Sequence, residues 1–185
     1  MNYYEKYLKY KAKYLKLKGS GKYRDLELET YLSDLYKIVS EKYTTMRPNV
    51  FTYLGDEEGG LRENTRGIIN IIIEEIKKKD LKFIYRLFKY VDFANQDSVK
   101  NAVDRLLTLG GFTLAQLKEA GFVVRNIKIE GKTLRDLYNA GFDLVSDKEV
   151  NLATLFKSSN YKYGEIKDII TELEKKILYI YSVKP

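Results

Sequence analysis

Apolar residues recur along most of this chain at helical spacing. Leu28, Tyr31, Leu32, Leu35, Tyr36, Val39 and Tyr43 fall on an i, i+3, i+4 stripe, which predicts a helix from an Asp25 cap to about Tyr43. Residues 44–66 lose the rhythm. Pro48 and the run from Gly55 to Gly60 mark a loop there, long enough to be either mobile or functional. Periodicity returns from Gly67 to Lys79, after Asn64 or Thr65 as cap. Ile68, Ile69, Ile71, Ile72, Ile73 and Ile76 make that helix apolar on most sides, so it should be central to the core. Asp80 then caps Leu81 to Val91, with Phe83, Ile84, Leu87, Phe88 and Val91 inward. Asp97 or Ser98 caps a helix to Leu109, with Val99, Val103, Leu106 and Leu107 inward. From Gly164 to Val183, Ile166, Ile169, Ile170, Leu173, Ile177, Leu178 and Tyr181 describe a closing helix. An outer Glu172–Lys176 pair suits its i, i+4 spacing.

Between these helices the period changes to ten. Gly111, Gly121, Gly131 and Gly141 head the rows GFTLAQLKEA, GFVVRNIKIE, GKTLRDLYNA and GFDLVSDKEV. The second position is Phe112, Phe122, Lys132 and Phe142, and the fourth is Leu114, Val124, Leu134 and Leu144. The seventh is Leu117, Ile127 and Leu137, until Asp147 breaks the pattern. Thr113 with Gln116, and Thr133 with Asp136, have the spacing of a capping box. Glycine then ends each two-turn helix in left-handed geometry, and the following Phe can fold back on the last turn. Helices this short cannot stand alone, so neighbouring rows must bury one another's faces. The second row, rich in β-branched residues, is the one expected to be extended.

These rows resemble the L-x-x-L-x-x-A-G-F decapeptide helical repeats of some giant-virus and eukaryotic proteins. The resemblance implies a packing or protein-binding scaffold. An ankyrin-like helix pair is the neighbouring alternative, although its T-P-L-H core is missing. The expected fold is therefore all-α. A single helical domain over 22–185 would contain solenoid-like Gly-punctuated repeats over 111–150 and the closing helix over 164–183, preceded by a basic amphipathic helix.

That basic helix holds most of the charge. The chain has 185 residues and a net charge of +7. Residues 1–18 contain six lysines (Lys6, Lys9, Lys11, Lys13, Lys16, Lys18) and one acid (Glu5), so they carry +5 of it. Tyr3, Tyr7, Tyr10, Tyr14 and Leu17 are spaced four and three apart, widened by Leu8 and Leu15. This gives one aromatic face and one cationic face. Gly19-Ser20-Gly21 stops the helix and makes a joint. Three roles compete for this arm. Its Tyr/Leu stripe can dock on the body or on a second copy of the chain, making a homo-oligomer. Its lysines can neutralise phosphates while Tyr7, Tyr10 and Tyr14 stack on unpaired bases. Or it can lie on an anionic membrane surface. The preference for Lys over Arg argues against base-specific recognition.

The stretch from Tyr7 to Lys18 resembles the Y-L-K-Y-K-x-K-Y-L-x-L-K segment that opens many otherwise unrelated proteins of mimivirus-like giant DNA viruses. That resemblance implies a portable tag for the virus factory in the host cytoplasm, or for the virion. The composition, with 25 Lys against 8 Arg, 17 Tyr and only 7 Ala, agrees with an AT-rich genome.

The residue inventory narrows the chemistry. There is no Cys, His or Trp, which excludes disulfides, a thiolate nucleophile, a histidine base and a thiolate or imidazole metal site. No secretory signal or membrane-spanning run is expected. Asp56, Glu57 and Glu58 are read as a solvated acidic loop rather than a cation site, because the spaced ligand pattern is missing. Lys77, Lys78 and Lys79 suit the end of a helix dipole. Gly131-Lys132-Thr133 lacks the earlier glycine of a phosphate loop, since Asn126 stands there. No catalytic residue, cofactor or metal is expected. The leading expectation is a non-enzymatic protein-interaction or structural component with a viral or host protein partner. The alternative is an accessory nucleic-acid-binding protein acting through residues 1–18.

Overall fold

The computed structural model describes residues 25–44, 47–57, 62–128, 131–144 and 163–183, with the side chains of 165 and 176–183 set aside. Among the described residues every regular element is helical, and the fold class is all-α. Contacts divide the chain into two compact units between Gly110 and Gly111.

The first unit contains α1 (Leu26–Ser40), a 3-10 turn (Val50–Gly55), α2 (Glu63–Lys77), α3 (Leu81–Tyr90) and α4 (Gln96–Thr108). Helix α1 starts where Asp25 accepts the Leu28 N–H at 3.2 Å, and it buries Leu28, Leu32, Leu35 and Val39. It ends at Ser40 rather than Tyr43. The Tyr43 ring leaves the helix to lie over Gly67, where an added Cβ would fall 1.8 Å from its hydroxyl oxygen. A glycine inside α2 is thus explained by close approach, not by a turn. Helix α2 buries Ile68, Ile69, Ile72, Ile73 and Ile76, as a central helix should. Its boundaries differ from the expected 67–79. It begins at Glu63 after Arg62, with Asn64 and Thr65 already inside the first turn. Asp80 caps α3 through the Phe83 N–H at 2.8 Å, as expected. For α4 the cap is Asn95, accepting from Ser98 N at 2.8 Å, in place of Asp97 or Ser98. Several polar residues crowd that start, and only backbone geometry selects among them.

The largest departure concerns the segment read as a loop. Val50, Phe51, Tyr53, Leu54 and Gly55 are buried in a single 3-10 turn against α1, α2 and α4. A six-residue turn is too short to display periodicity, so its apolar cluster reads as irregular. Phe51 packs edge-on against Phe88 and Phe93, at centroid distances of 5.3 and 6.0 Å. Arg105, only 2% exposed, donates from Nη1 to the Tyr53 and Leu54 carbonyls at 3.1 and 2.5 Å. One helical turn earlier, the Asn101 amide reaches the Gly55 carbonyl at 3.4 Å. Asp56 is engaged by both terminal nitrogens of Arg47 at 2.6 and 3.0 Å.

The second unit contains α5 (Leu114–Ala120), a 3-10 turn (Val124–Asn126), α6 (Leu134–Asn139) and α7 (Tyr163–Val183). Gly111, Gly121, Gly131 and Gly141 all have positive φ, at 72, 112, 76 and 82°. After α5, Phe122 N bonds to the Leu117 carbonyl and Gly121 N to the Lys118 carbonyl, at 3.0 and 3.1 Å. After α6, Phe142 and Gly141 repeat the pair with Leu137 and Tyr138, at 3.1 and 2.9 Å. These are paired Schellman bonds with glycine in the left-handed position. Both capping boxes form, Thr113 with Gln116 and Thr133 with Asp136. The second row is extended at Val123 and Ile127 and turns between them. Asn126 accepts the Val123 N–H at 3.1 Å and winds Val124–Asn126 into a single turn. That side-chain bond imitates a capping box and overrides the β-branched preference. Leu117, Val124, Ile127, Leu134, Leu137 and Leu144 are all buried. The fourth row is described only to Leu144.

Helix α6 packs on α7. Glu172 pairs with Arg135 of α6, and the Lys176 side chain of the expected Glu172–Lys176 pair lies outside the described residues. Ile166 and Ile169 are buried, but Ile170 is exposed, because the apolar face of α7 is narrower than its isoleucines. Ile177, Leu178 and Tyr181 belong to the side chains set aside.

Two variants check these anchors by chemical denaturation. Arg105→Met leaves two buried carbonyls without their charged donor and is expected to lose at least about 2 kcal/mol. Arg105→Lys, keeping a donor but not the planar fork, should fall between. At Gly141 an added Cβ meets nothing within 4 Å, so backbone strain alone is at stake. Gly141→Ala is expected to lose about 1–2 kcal/mol and Gly141→Asn less. Equal losses for the two would exclude left-handed strain as the cause.

Candidate functional site: a groove along the first helix

Helix α1 presents Leu26, Thr30 and Asp34 in one i, i+4 row beside Glu27 and Tyr31. The corner between α2 and α3 brings Lys79 and Phe83 up to the same face. Together these residues line an open groove of about 490 Å³. Its base is the Tyr31 ring edge-on to Phe83, with centroids 5.1 Å apart and planes at 81°. The Lys79 ammonium stands 5.1 Å from both ring centroids. This cation–π contact holds the Lys79 ammonium at the groove, just past the end of α2. Lys77 and Lys78 bond to Glu74 and Glu75 at 3.1 and 2.6 Å. The three lysines expected to suit the α2 terminus are therefore each engaged by a side chain.

Leu26 is 67% exposed at the groove's upstream end, off the apolar stripe that α1 buries. The Tyr31 hydroxyl is buried and makes no hydrogen bond. Burial, with the charge of Glu75 behind it, pushes its ionisation well above the ordinary tyrosine range, so it stays a neutral donor. The acids on the rim are held by exposed partners. Arg86 bonds to Asp25 and Glu27 at 2.6 and 3.0 Å, and Lys37 bonds to Asp34 at 3.1 Å. The Tyr90 hydroxyl donates to Glu29 at 2.8 Å, so the acidic first turn of α1 is tied to α3. Chemically, the groove offers an apolar and aromatic floor with carboxylates at its edge. Such a surface accepts an aliphatic or aromatic side chain flanked by cations.

Of the site and repeat residues singled out in the sequence, none of the described ones lines the groove. Lys6, Lys9, Lys11, Lys13, Lys16, Lys18, Tyr7, Tyr10 and Tyr14 fall outside the described residues. Gly111, Gly121, Gly131 and Gly141 shape the backbone of the second unit; Phe122 and Phe142 are buried there and Phe112 is half-buried. Tyr31, Phe83 and Lys79 were legible as helix positions, but not as one site. Leu26 carried the available signal, being an apolar residue out of step with its helix. Among the described residues no helix is long and apolar enough to cross a membrane, and no group of three or more acids could hold a metal ion. No family model, curated protein or solved structure matches the chain.

The acidic ties at this face define a pH response. Hydrogen bonding to Arg86, with a smaller contribution from the Leu28 N–H, holds the Asp25 carboxyl below its ordinary value of 3.8. A carboxyl lowered by folding contributes stability that is complete above its unfolded pKa and lost as pH falls through its folded one. Asp25→Asn keeps an acceptor for the cap but not the charge. Its unfolding free energy, followed by urea titration from neutral pH into the acid limb, is expected to fall less steeply than wild type. Asp25→Ala should lose about 1 kcal/mol more than Asp25→Asn at neutral pH through loss of the cap.

Proposed function

We propose that this chain is a non-enzymatic protein-interaction component, with the groove along α1 as its docking surface. The observation that supports this reading is the exposed Leu26 at the mouth of a Tyr31–Phe83 floor rimmed by carboxylates. Aromatic anchors in an apolar depression with a polar rim are what protein docking uses most effectively. The ten-residue rows of the second unit are, on this reading, a solenoid-like scaffold that presents a further surface. The resemblance of residues 7–18 to the opening segment of mimivirus-like proteins supports a place in the virion or in the virus factory of the host cytoplasm.

A second reading, accessory nucleic-acid binding, is favoured by the six lysines of residues 1–18. One comparison separates the two. The full chain, tagged at its C-terminus, is used to capture partners from infected host cells alongside Leu26→Glu. The expected result is a protein partner that survives nuclease treatment and is lost with Leu26→Glu. Recovery of nucleic acid alone, falling steeply with salt and indifferent to Leu26→Glu, would establish the second reading instead.

A further inference from the structure

We propose that the groove's resident occupant is the chain's own basic arm, residues 1–18, which an outside partner must displace. The inference rests on reading the groove as a protein-docking surface and adds how that surface is regulated. Three observations meet here.

The first is where the chain emerges. The described residues begin at Asp25, next to Leu26 at the groove's end. Six residues, 19–24, separate it from Lys18, and they span at most about 20 Å. The Gly19-Ser20-Gly21 joint permits the chain to reverse, as in an antiparallel helix hairpin. A tether this short gives an effective concentration on the order of millimolar, so even weak complementarity is sufficient.

The second is charge. Residues 1–18 carry six lysines against one acid, while residues 25–41 carry five acids against one lysine, and the groove itself is lined by Glu27 and Asp34 against Lys79. The Asp34–Lys37 and Glu27–Arg86 pairs on the rim are exposed. Exposed pairs contribute little and exchange readily for arriving lysines.

The third is the pairing of faces. In the sequence the arm's tyrosines and leucines fall on one apolar stripe opposite its lysines. The groove offers the exposed Leu26 at its end and the Tyr31 and Phe83 rings at its base. Along α1 the groove runs from Leu26 to Asp34, about 12 Å at helical rise, and the Tyr3–Leu17 stripe of about 21 Å is long enough to cover it.

The chain contains no cysteine, so a single introduced one is a unique attachment point for a nitroxide. In the full chain, isotope-labelled for NMR, the label at Thr30→Cys is compared with the label at Thr108→Cys, an exposed position on α4. Unchanged amide shifts over 81–108 verify that each variant is folded. The expected result is severalfold stronger attenuation of the signals of residues 3–18 from position 30 than from position 108. The effect should persist when labelled molecules are diluted into unlabelled ones, and it should weaken with Glu27→Lys and Asp34→Lys together. Equal attenuation from the two positions would overturn the proposal. So would attenuation seen only when spin-labelled and isotope-labelled copies are mixed, since the arm would then belong to a second copy. The two readings fail separately. Loss of the captured partner in Leu26→Glu without arm attenuation leaves the docking surface standing and removes the arm from it. Arm attenuation with capture indifferent to Leu26→Glu does the reverse.

Discussion

A buried guanidinium organises the first unit. Arg105 lies among apolar helices, yet its Nη1 spans two successive carbonyls at the end of the Val50–Gly55 turn. Backbone groups at a helix end lack partners within the helix, and burying them unpaired is expensive. A short turn made of Val, Phe, Tyr and Leu has every reason to enter the core but limited means of its own to satisfy its last carbonyls, the Asp56 N–H reaching that of Tyr53 at 3.2 Å. The guanidinium supplies what is missing, with Asn101 beside it. Once the turn is fixed, Phe51 can meet Phe88 and Phe93, and α1, α2 and α4 have a common surface to pack against.

In the second unit the equivalent constraint is backbone handedness. Gly121 and Gly141 adopt positive φ so that the following Phe can bond back to the helix just finished. The reversal delivers Phe122 and Phe142 into the core at the moment each helix ends. Short helices are then stabilised by what they bury rather than by their own length. The Arg135–Glu172 pair ties the last of them to the long helix α7.

The groove follows from the same first-unit geometry. The Asp80 cap sets the corner between α2 and α3 and brings Lys79 and Phe83 beside Tyr31. The rings beneath the Lys79 ammonium and the acidic first turn of α1 are fixed by packing within the first unit. Preorganisation of this kind reduces what association must spend on ordering the site. The proposed occupant, residues 1–18, is basic and tyrosine-rich and is joined to Asp25 by six residues.

The helices, their buried stripes and the left-handed glycines were legible in the sequence, because each is a local matter of period, cap or φ. Leu28, Ile72, Leu87 and Leu137 announce themselves by spacing alone. Local information also misjudged some ends, as at Asn95, where several polar residues compete for one cap. Tertiary structure alone decided the rest. It decided that an irregular apolar cluster is a core turn, that an arginine is buried to serve it, and that Gly111 begins a separate unit. It also decided that Tyr31, Lys79 and Phe83 face one another. These depend on pairings across dozens of residues, and no periodicity encodes which carbonyl a distant guanidinium will reach.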